Sequence, residues 1–96
     1  MILHTISVSP ASATFLDCLR LIDAGDGLLL LEDAVYALRD STLLDAINDT
    51  DAQLYALADH TLAAGLGEVD YGEVRMIDMQ QFVALTVQYP RQLAWY

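Results

Sequence analysis

An unbroken run of four leucines, residues 28–31, is the feature that most constrains the fold of this chain. The run follows a Gly-Asp-Gly turn at residues 25–27 and ends at two adjacent carboxylates, Glu32 and Asp33. A strand with one solvated face alternates apolar and polar residues, whereas a strand buried on both faces is apolar throughout. The leucine run therefore predicts a central strand of a parallel sheet with helices packed on each side.

Glu32 and Asp33 fall where a parallel strand ends, which is where open α/β sheets usually place their ligand sites. They could form an acid/base pair, but adjacent residues point apart and no other carboxylate is fixed nearby by the sequence. Asp33 also precedes an Ala-Val-Tyr-Ala-Leu segment. We therefore favour a role for Asp33 as the N-cap of the next helix.

The rest of the chain alternates short apolar strands with short helices. Besides the leucine strand, strands are predicted at residues 2–6, 53–57 and 73–77. Helices are predicted from a cap at Ser12 or Thr14 to about residue 24 and at residues 33–38, 60–64 and 80–89, with a weak helical segment around residues 43–47. This alternation predicts an α/β fold in one three-layer domain, residues 1–96, with a mainly parallel sheet and right-handed crossovers.

Smaller signals refine this outline. Asp59 is predicted to cap the helix at residues 60–64, and residues 67–72 are predicted to form a loop. The last helix is predicted to turn a broad apolar face inward. That face comprises Phe82, Val83, Leu85, Thr86 and Tyr89.

Composition limits the partners of the chain. It is 96 residues long and 55% hydrophobic, with a formal net charge of −10. So much apolar material in a small domain suggests a partner surface. Such an acidic chain is not expected to bind nucleic acid or anionic lipid. No apolar run approaches the ~18 residues of a membrane span, and the start lacks the pattern of a secretory signal, so we expect a cytoplasmic protein.

The candidate catalytic side chains are few. Cys18 is the one cysteine, and it lies in an apolar helical stripe, where a thiol usually acts as a small hydrophobic group. His4 lies within an apolar strand and is interpreted as a core histidine with satisfied ring nitrogens, whereas His60 is expected to face solvent. The sequence contains no recognisable metal site or phosphate-binding fingerprint, and we expect no cofactor.

The chain ends in Trp95 and Tyr96. Large aromatic groups at a terminus either dock on the core of their own chain or anchor a partner. The sequence leaves both possibilities open.

Short motifs along the whole chain carry a family resemblance. They are Leu3-His4-Thr5, Ser9-Pro10, Arg20-Leu21, Gly25-Asp26, the leucine run into Asp33, Leu54-Tyr55-Ala56-Leu57, Gly65-Leu66, Asp78, Phe82-Val83, Leu85-Thr86-Val87, Pro90, Gln92 and Ala94-Trp95. With these motifs the chain resembles the TusB/DsrH family of sulfur-relay subunits, and its C-terminal motif is most similar to the TusB branch.

The resemblance implies a flavodoxin-like domain of the DsrE/DsrF type. It also implies assembly with TusC-like and TusD-like subunits in a heterohexamer. In that family persulfide sulfur passes from TusA through TusD to TusE for 2-thiolation of the tRNA wobble uridine. Because the reactive cysteine belongs to the TusD-like subunit, the resemblance implies a non-catalytic subunit here, with no direct contact to nucleic acid.

Two positions depart from the TusB pattern. Ala63-Ala64-Gly65 stands where TusB-like chains often carry Ala-Arg-Gly, and Cys18 lies where DsrH-like relatives have a cysteine. Two alternatives therefore stay open: a DsrH-like subunit in sulfur oxidation, and a stand-alone persulfide carrier that uses Cys18.

Overall fold

The computed structural model describes residues 1–66 and 71–96 of the chain. Residues 67–70 of the predicted loop lie outside this description. Within the described ranges the chain forms five strands: β1 (Ile2–Ile6), β2 (Gly27–Leu30), β3 (Gln53–Leu57), β4 (Arg75–Ile77) and β5 (Arg91–Trp95). The helices there are α1 (Ala13–Leu21), a 3₁₀ helix (Glu32–Arg39), α2 (Ser41–Asn48), α3 (Ala58–Ala63) and α4 (Met79–Gln88).

All the strands are parallel, and their order in the sheet is β4-β3-β2-β1-β5. The first three connections step across the sheet in one direction, whereas the connection through α4 returns past them to β5. Because crossovers between parallel strands are right-handed, a reversed step places its helix on the opposite face. The helices from α1 to α3 thus share one face, and α4 lies on the other. The predicted α/β domain with a parallel sheet is confirmed.

Strand β2 is buried along its whole length, as the leucine run predicts. Leu28 and Leu30 pack into the core beneath α1, the 3₁₀ helix and α2. Leu29 points the other way, into the core beneath α4. A single strand therefore supplies side chains to both cores, which is why it contains no polar residue.

Two of the predicted helix caps are wrong and one is confirmed. Of the two candidates predicted for α1, Ser12 is the cap, and its side chain accepts a hydrogen bond from the N–H of Phe15 at 3.2 Å. The N-cap of the 3₁₀ helix is Leu31 and that of α3 is Leu57, and neither makes a side-chain cap bond. Both helices begin almost directly at a strand end, so Asp33 and Asp59 lie inside the first helical turn.

The inward face of α4 is narrower than predicted. Leu85 and Tyr89 are buried against the sheet and Phe82 packs beside them. Val83 is 59% exposed, which corrects its predicted inward position. Helix α4 begins with a reciprocal capping box between Asp78 and Gln81.

The C-terminal segment is a fifth strand, which the sequence did not predict. Strand β5 pairs in parallel with β1, in a register that sets Ile2 opposite Arg91 and Ile6 opposite Trp95. Because β5 is an edge strand with four exposed residues, it lacks the apolar pattern that marks a buried strand. Among the described residues, no helix is both long and apolar enough to cross a bilayer.

Candidate functional site

A cavity of about 270 Å³ lies where β2 and β3 end. Its position agrees with the rule that parallel sheets place ligands at the carboxyl ends of their strands. Six residues line it: Glu32, Asp33, Tyr36, His60, Ala63 and Ala64. The structure thus brings His60, which the sequence places 28 residues away from Glu32, to the same cavity as the two carboxylates.

The backbone of Glu32 and the ring of His60 hold each other in place. The N–H of Glu32 donates to Nδ1 of His60 at 2.9 Å. Glu32 has a φ of 48°, a left-handed conformation that is uncommon for residues with a side chain. Because Nδ1 accepts a hydrogen bond, the ring proton of His60 lies on Nε2. His60 is half-buried, which corrects the expectation that it simply faces solvent.

This cavity can bind a polar or cationic group, since it offers two carboxylates, a phenol and an imidazole. Among the described residues that line it there is no thiol, so none of them can carry persulfide sulfur. Ala64 lines the cavity at the position where TusB-like chains often have arginine. Glu32 and Asp33 therefore lack a neighbouring guanidinium from that position.

Cys18 lies elsewhere, in the core beneath α1. Its side chain is fully buried. Burial raises the pKa of the Cys18 thiol to about 12. At neutral pH the group is therefore a thiol and not the thiolate that attacks or accepts sulfur.

A second cluster of polar side chains has its histidine and aspartate buried and joins three strands. His4 on β1 is 1% exposed, and its Nε2 lies 3.1 Å from Oδ2 of Asp26, which precedes β2. The indole Nε1–H of Trp95 on β5 donates to Nδ1 of His4 at 3.1 Å. Because an indole nitrogen can only donate, Nδ1 of His4 is the acceptor and its Nε2–H donates to Asp26. The interpretation of His4 as a satisfied core histidine is confirmed.

Asp26 is the acceptor on which this network ends. It also accepts the N–H of Ile2 at 2.9 Å and the N–H of Asp23 at 3.1 Å. Burial by itself raises the pKa of Asp26, but the hydrogen bonds from Asp23, Ile2 and His4 together lower it. Sequence reasoning assigned Asp26 only to a turn. The signal that could have identified its buried role is the position of this single aspartate directly before a fully apolar strand.

The two terminal aromatic residues have different environments. Trp95 is half-buried and packs against the core beneath α1. Tyr96 is 89% exposed. Within the described residues, no group of three or more His, Cys, Asp or Glu side chains is arranged to hold a metal ion.

Comparison with known families gives one family match. The model of the family described as DsrH like protein matches residues 8–92.

Curated relatives match over nearly the full length. Protein TusB of Pectobacterium parmentieri is 42% identical over 94 residues, which cover 97% of this chain and 99% of the relative. Protein TusB of Escherichia coli strain K12 is 39% identical over 94 residues, with the same coverage.

Solved structures share the fold. The crystal structure of the ychN protein from Escherichia coli superposes with a TM-score of 0.80 at 16% identity, covering 98% of this chain and 97% of that chain. The solution NMR structure of Tm0979 from Thermotoga maritima has a TM-score of 0.68 at 25% identity, covering 92% and 93%.

Proposed function

The chain belongs to the DsrH-like family that includes the TusB proteins, and from this premise we propose that it is a non-catalytic subunit of a sulfur-relay complex. The observation that carries the non-catalytic assignment is the burial of Cys18. A sulfur carrier needs a thiolate that a donor protein can reach, and Cys18 is neither ionised at neutral pH nor exposed.

The finer proposal follows the TusB branch of the family. The chain assembles in the cytoplasm with TusC-like and TusD-like subunits into a heterohexamer. Sulfur passes from TusA to the TusD-like subunit and on to TusE, for 2-thiolation of the tRNA wobble uridine. This chain contributes structure to the complex and no reacting atom.

Trp95 and Tyr96 are proposed contact residues in that complex. Tyr96 is 89% exposed, and an exposed terminal aromatic is suited to fill a pocket on a partner. Trp95 has its indole N–H bonded to His4, so it holds β5 to the sheet, and the residue is only half-buried.

Co-expression tests the assembly. The tagged chain is produced together with the TusC-like and TusD-like chains from the same genome and examined by size-exclusion chromatography with mass detection. We expect the three chains to elute together in equal amounts. If this chain elutes alone when both partners are present and folded, the proposal is wrong.

Complementation tests the non-catalytic assignment. In a strain lacking this gene, wobble-uridine 2-thiolation is measured by mass spectrometry of digested tRNA. Because Cys18 only fills space in the core, we expect Cys18→Ala to restore thiolation as well as the wild-type chain does. Loss of thiolation with the Cys18→Ala chain folded and assembled would instead support a persulfide carrier.

The DsrH-like alternative is favoured by the position of Cys18 in α1, where DsrH-like relatives have a cysteine. It predicts the same assembly but a different pathway, the oxidation of sulfur. Normal tRNA thiolation in the deletion strain, together with impaired sulfur oxidation, would favour it over the TusB-like proposal.

A further inference from the structure

The solvent side of α4 carries an apolar stripe. Met79, Val83 and Val87 are 52%, 59% and 81% exposed. They are four residues apart, so they lie in one row along the helix. We call these three residues the α4 stripe. Single exposed apolar residues are ordinary, but a row of them on one helix marks an interaction surface.

Charge is distributed very unevenly around this stripe. The segment 79–96 contains no acidic residue, and Arg91 is its one charged side chain. Ten of the chain's 14 acidic residues fall between Asp17 and Asp59. The helices of that acidic segment pack on the opposite face of the sheet from α4. The centres of protein interfaces are depleted in charged residues, and α4 shows this depletion in a chain that is otherwise strongly acidic.

The sheet face beneath α4 is also incompletely covered. Parallel sheets are normally buried on both faces, yet in the described part of the chain α4 is the one helix on this side. Phe82 on α4 and Leu31 after β2 pack at this core and are only partly buried. On β5, Ala94 and Gln92 remain exposed. The layer of helices on this face of the sheet is therefore incomplete in the single chain.

Two arginines border the C-terminal end of α4. Arg91 follows the helix after Pro90, and Arg75 on β4 lines a cavity together with Gln88 of α4. Both arginines are exposed, and neither forms an ion pair with any residue that the structure describes. A complementary surface would therefore be apolar at its centre and carry carboxylates at its edge.

We propose that the α4 stripe is the docking surface for a sister subunit of the relay complex, which presents an uncharged apolar patch edged by carboxylates. The proposal rests on the proposed function, because that function supplies the partner. An acidic partner meets less repulsion along α4, where the N-cap Asp78 is the nearest carboxylate in sequence, than at the helices of the acidic segment. The structure thus assigns this side of the chain to the assembly and leaves the acidic side to solvent.

The test variant is Val83→Glu combined with Val87→Lys. The pair introduces charge into the stripe without changing the net charge, and Glu four residues before Lys supports the helix. The matched control is Leu62→Glu combined with Leu21→Lys on the acidic side, where the two leucines are 66% and 60% exposed. Each variant is co-expressed with the TusC-like and TusD-like chains, and its folding is verified by circular dichroism.

We expect the α4 pair to lower the amount of chain that co-elutes with the sister subunits at least about tenfold, which corresponds to ~1.4 kcal/mol. The control pair should change it by less than about twofold. If the α4 pair lowers stability, the single variant Val87→Lys repeats the measurement at the most exposed position of the stripe.

Three results overturn the inference. The first is that the α4 pair assembles as well as the wild type, and the second is that the control pair loses as much binding. The third is that the α4 pair abolishes a dimer of the isolated chain, which would make a second copy the occupant. If the wild-type chain itself fails to bind folded sister subunits, the proposed function fails first and the inference fails with it.

Discussion

Asp26 shows most clearly how one residue organises this molecule. Its carboxylate accepts hydrogen bonds from the N–H of Ile2, the N–H of Asp23 and the ring of His4. It therefore fixes the start of β1, the turn after α1 and a buried histidine at once. A buried carboxylate is tolerated here because each of its partners is a donor.

We expect Asp26→Asn to lower the free energy of unfolding at neutral pH by about 2–3 kcal/mol, since an amide cannot accept all three hydrogen bonds as well as a carboxylate. The pKa of Asp26 in the folded chain is lowered, so its contribution is complete above the unfolded carboxyl pKa of about 4. It is lost as the pH falls through the lower folded-state value.

Urea unfolding of both chains between pH 7 and pH 3 measures this effect. The difference between wild type and Asp26→Asn should be constant from pH 7 to about pH 5 and shrink at lower pH. A difference that stays the same down to pH 3 would contradict the assigned role of the ionised carboxylate.

Cys18 is expected to be inert in the folded chain. Burial raises the pKa of its thiol to about 12, and its side chain is inaccessible. Iodoacetamide at pH 7.5 should alkylate the folded chain at least about a hundredfold more slowly than the urea-unfolded chain. Alkylation is measured from the intact mass of the chain. Equal alkylation rates in the folded and unfolded chains would contradict the non-catalytic assignment.

Gly27 is required because the ring of Tyr89 lies against it. A Cβ at this position would lie 2.8 Å from Cζ of Tyr89 and 3.1 Å from a methyl carbon of Leu3. We expect Gly27→Ala to lower the free energy of unfolding by about 1–3 kcal/mol through overpacking. In a Tyr89→Leu background the same change should cost less, and equal costs in both backgrounds would exclude this clash as the cause.

At the scale of elements, β5 is the least predictable part of the fold. It lies at the edge of the sheet and four of its five residues are exposed. Two interactions hold it: the parallel ladder with β1 and the hydrogen bond from Trp95 to His4. The buried network thus links the last strand to the first.

We expect Trp95→Phe to lower the free energy of unfolding of the isolated chain by about 1–2 kcal/mol, because Nδ1 of His4 loses its donor inside the core. Trp95→Ala should cost more, about 2–4 kcal/mol, since packing is lost as well. Tyr96→Ala is the matched control and should change stability by less than about 0.5 kcal/mol.

Urea unfolding of the isolated chain measures all three variants. If Trp95→Ala leaves the stability of the isolated chain unchanged, Trp95 serves only as a contact with a partner. Destabilisation of the isolated chain together with weaker assembly would agree with a residue that serves both the strand and the interface.

At the scale of the whole molecule, the two faces of the sheet differ in charge. Ten of the 14 acidic residues lie in the segment from Asp17 to Asp59, whose helices pack on one face, whereas α4 and β5 on the other side carry none. Such an arrangement suits a subunit that is solvated on one side and covered on the other.

A chain with a formal net charge of −10 and four arginines should not bind tRNA directly. In a fluorescence titration at ~0.15 M salt we expect no binding of the isolated chain to the tRNA that the complex modifies. Saturable binding that weakens with added salt would show that the chain contacts tRNA phosphates. It would contradict the proposal that this chain does not contact the tRNA.

The sequence by itself determined the features that depend on neighbouring residues. The leucine run predicted that β2 is buried on both faces, because only a fully internal strand can lack polar residues. The cap of α1 could be narrowed to Ser12 or Thr14, since capping involves residues three positions apart, and the structure shows that it is Ser12. The motifs that indicate the family were also readable directly.

Only the tertiary structure decided which distant residues meet. His4 reaches Asp26 across 22 residues and Trp95 across 91 residues, and no local pattern encodes either pairing. The same holds for His60, which meets Glu32 only because β2 and β3 are neighbours in the sheet. Local periodicity specifies whether a residue is buried, whereas strand order specifies its partner. The network around Asp26, the cavity at Glu32 and the edge strand β5 therefore became visible only in the folded chain.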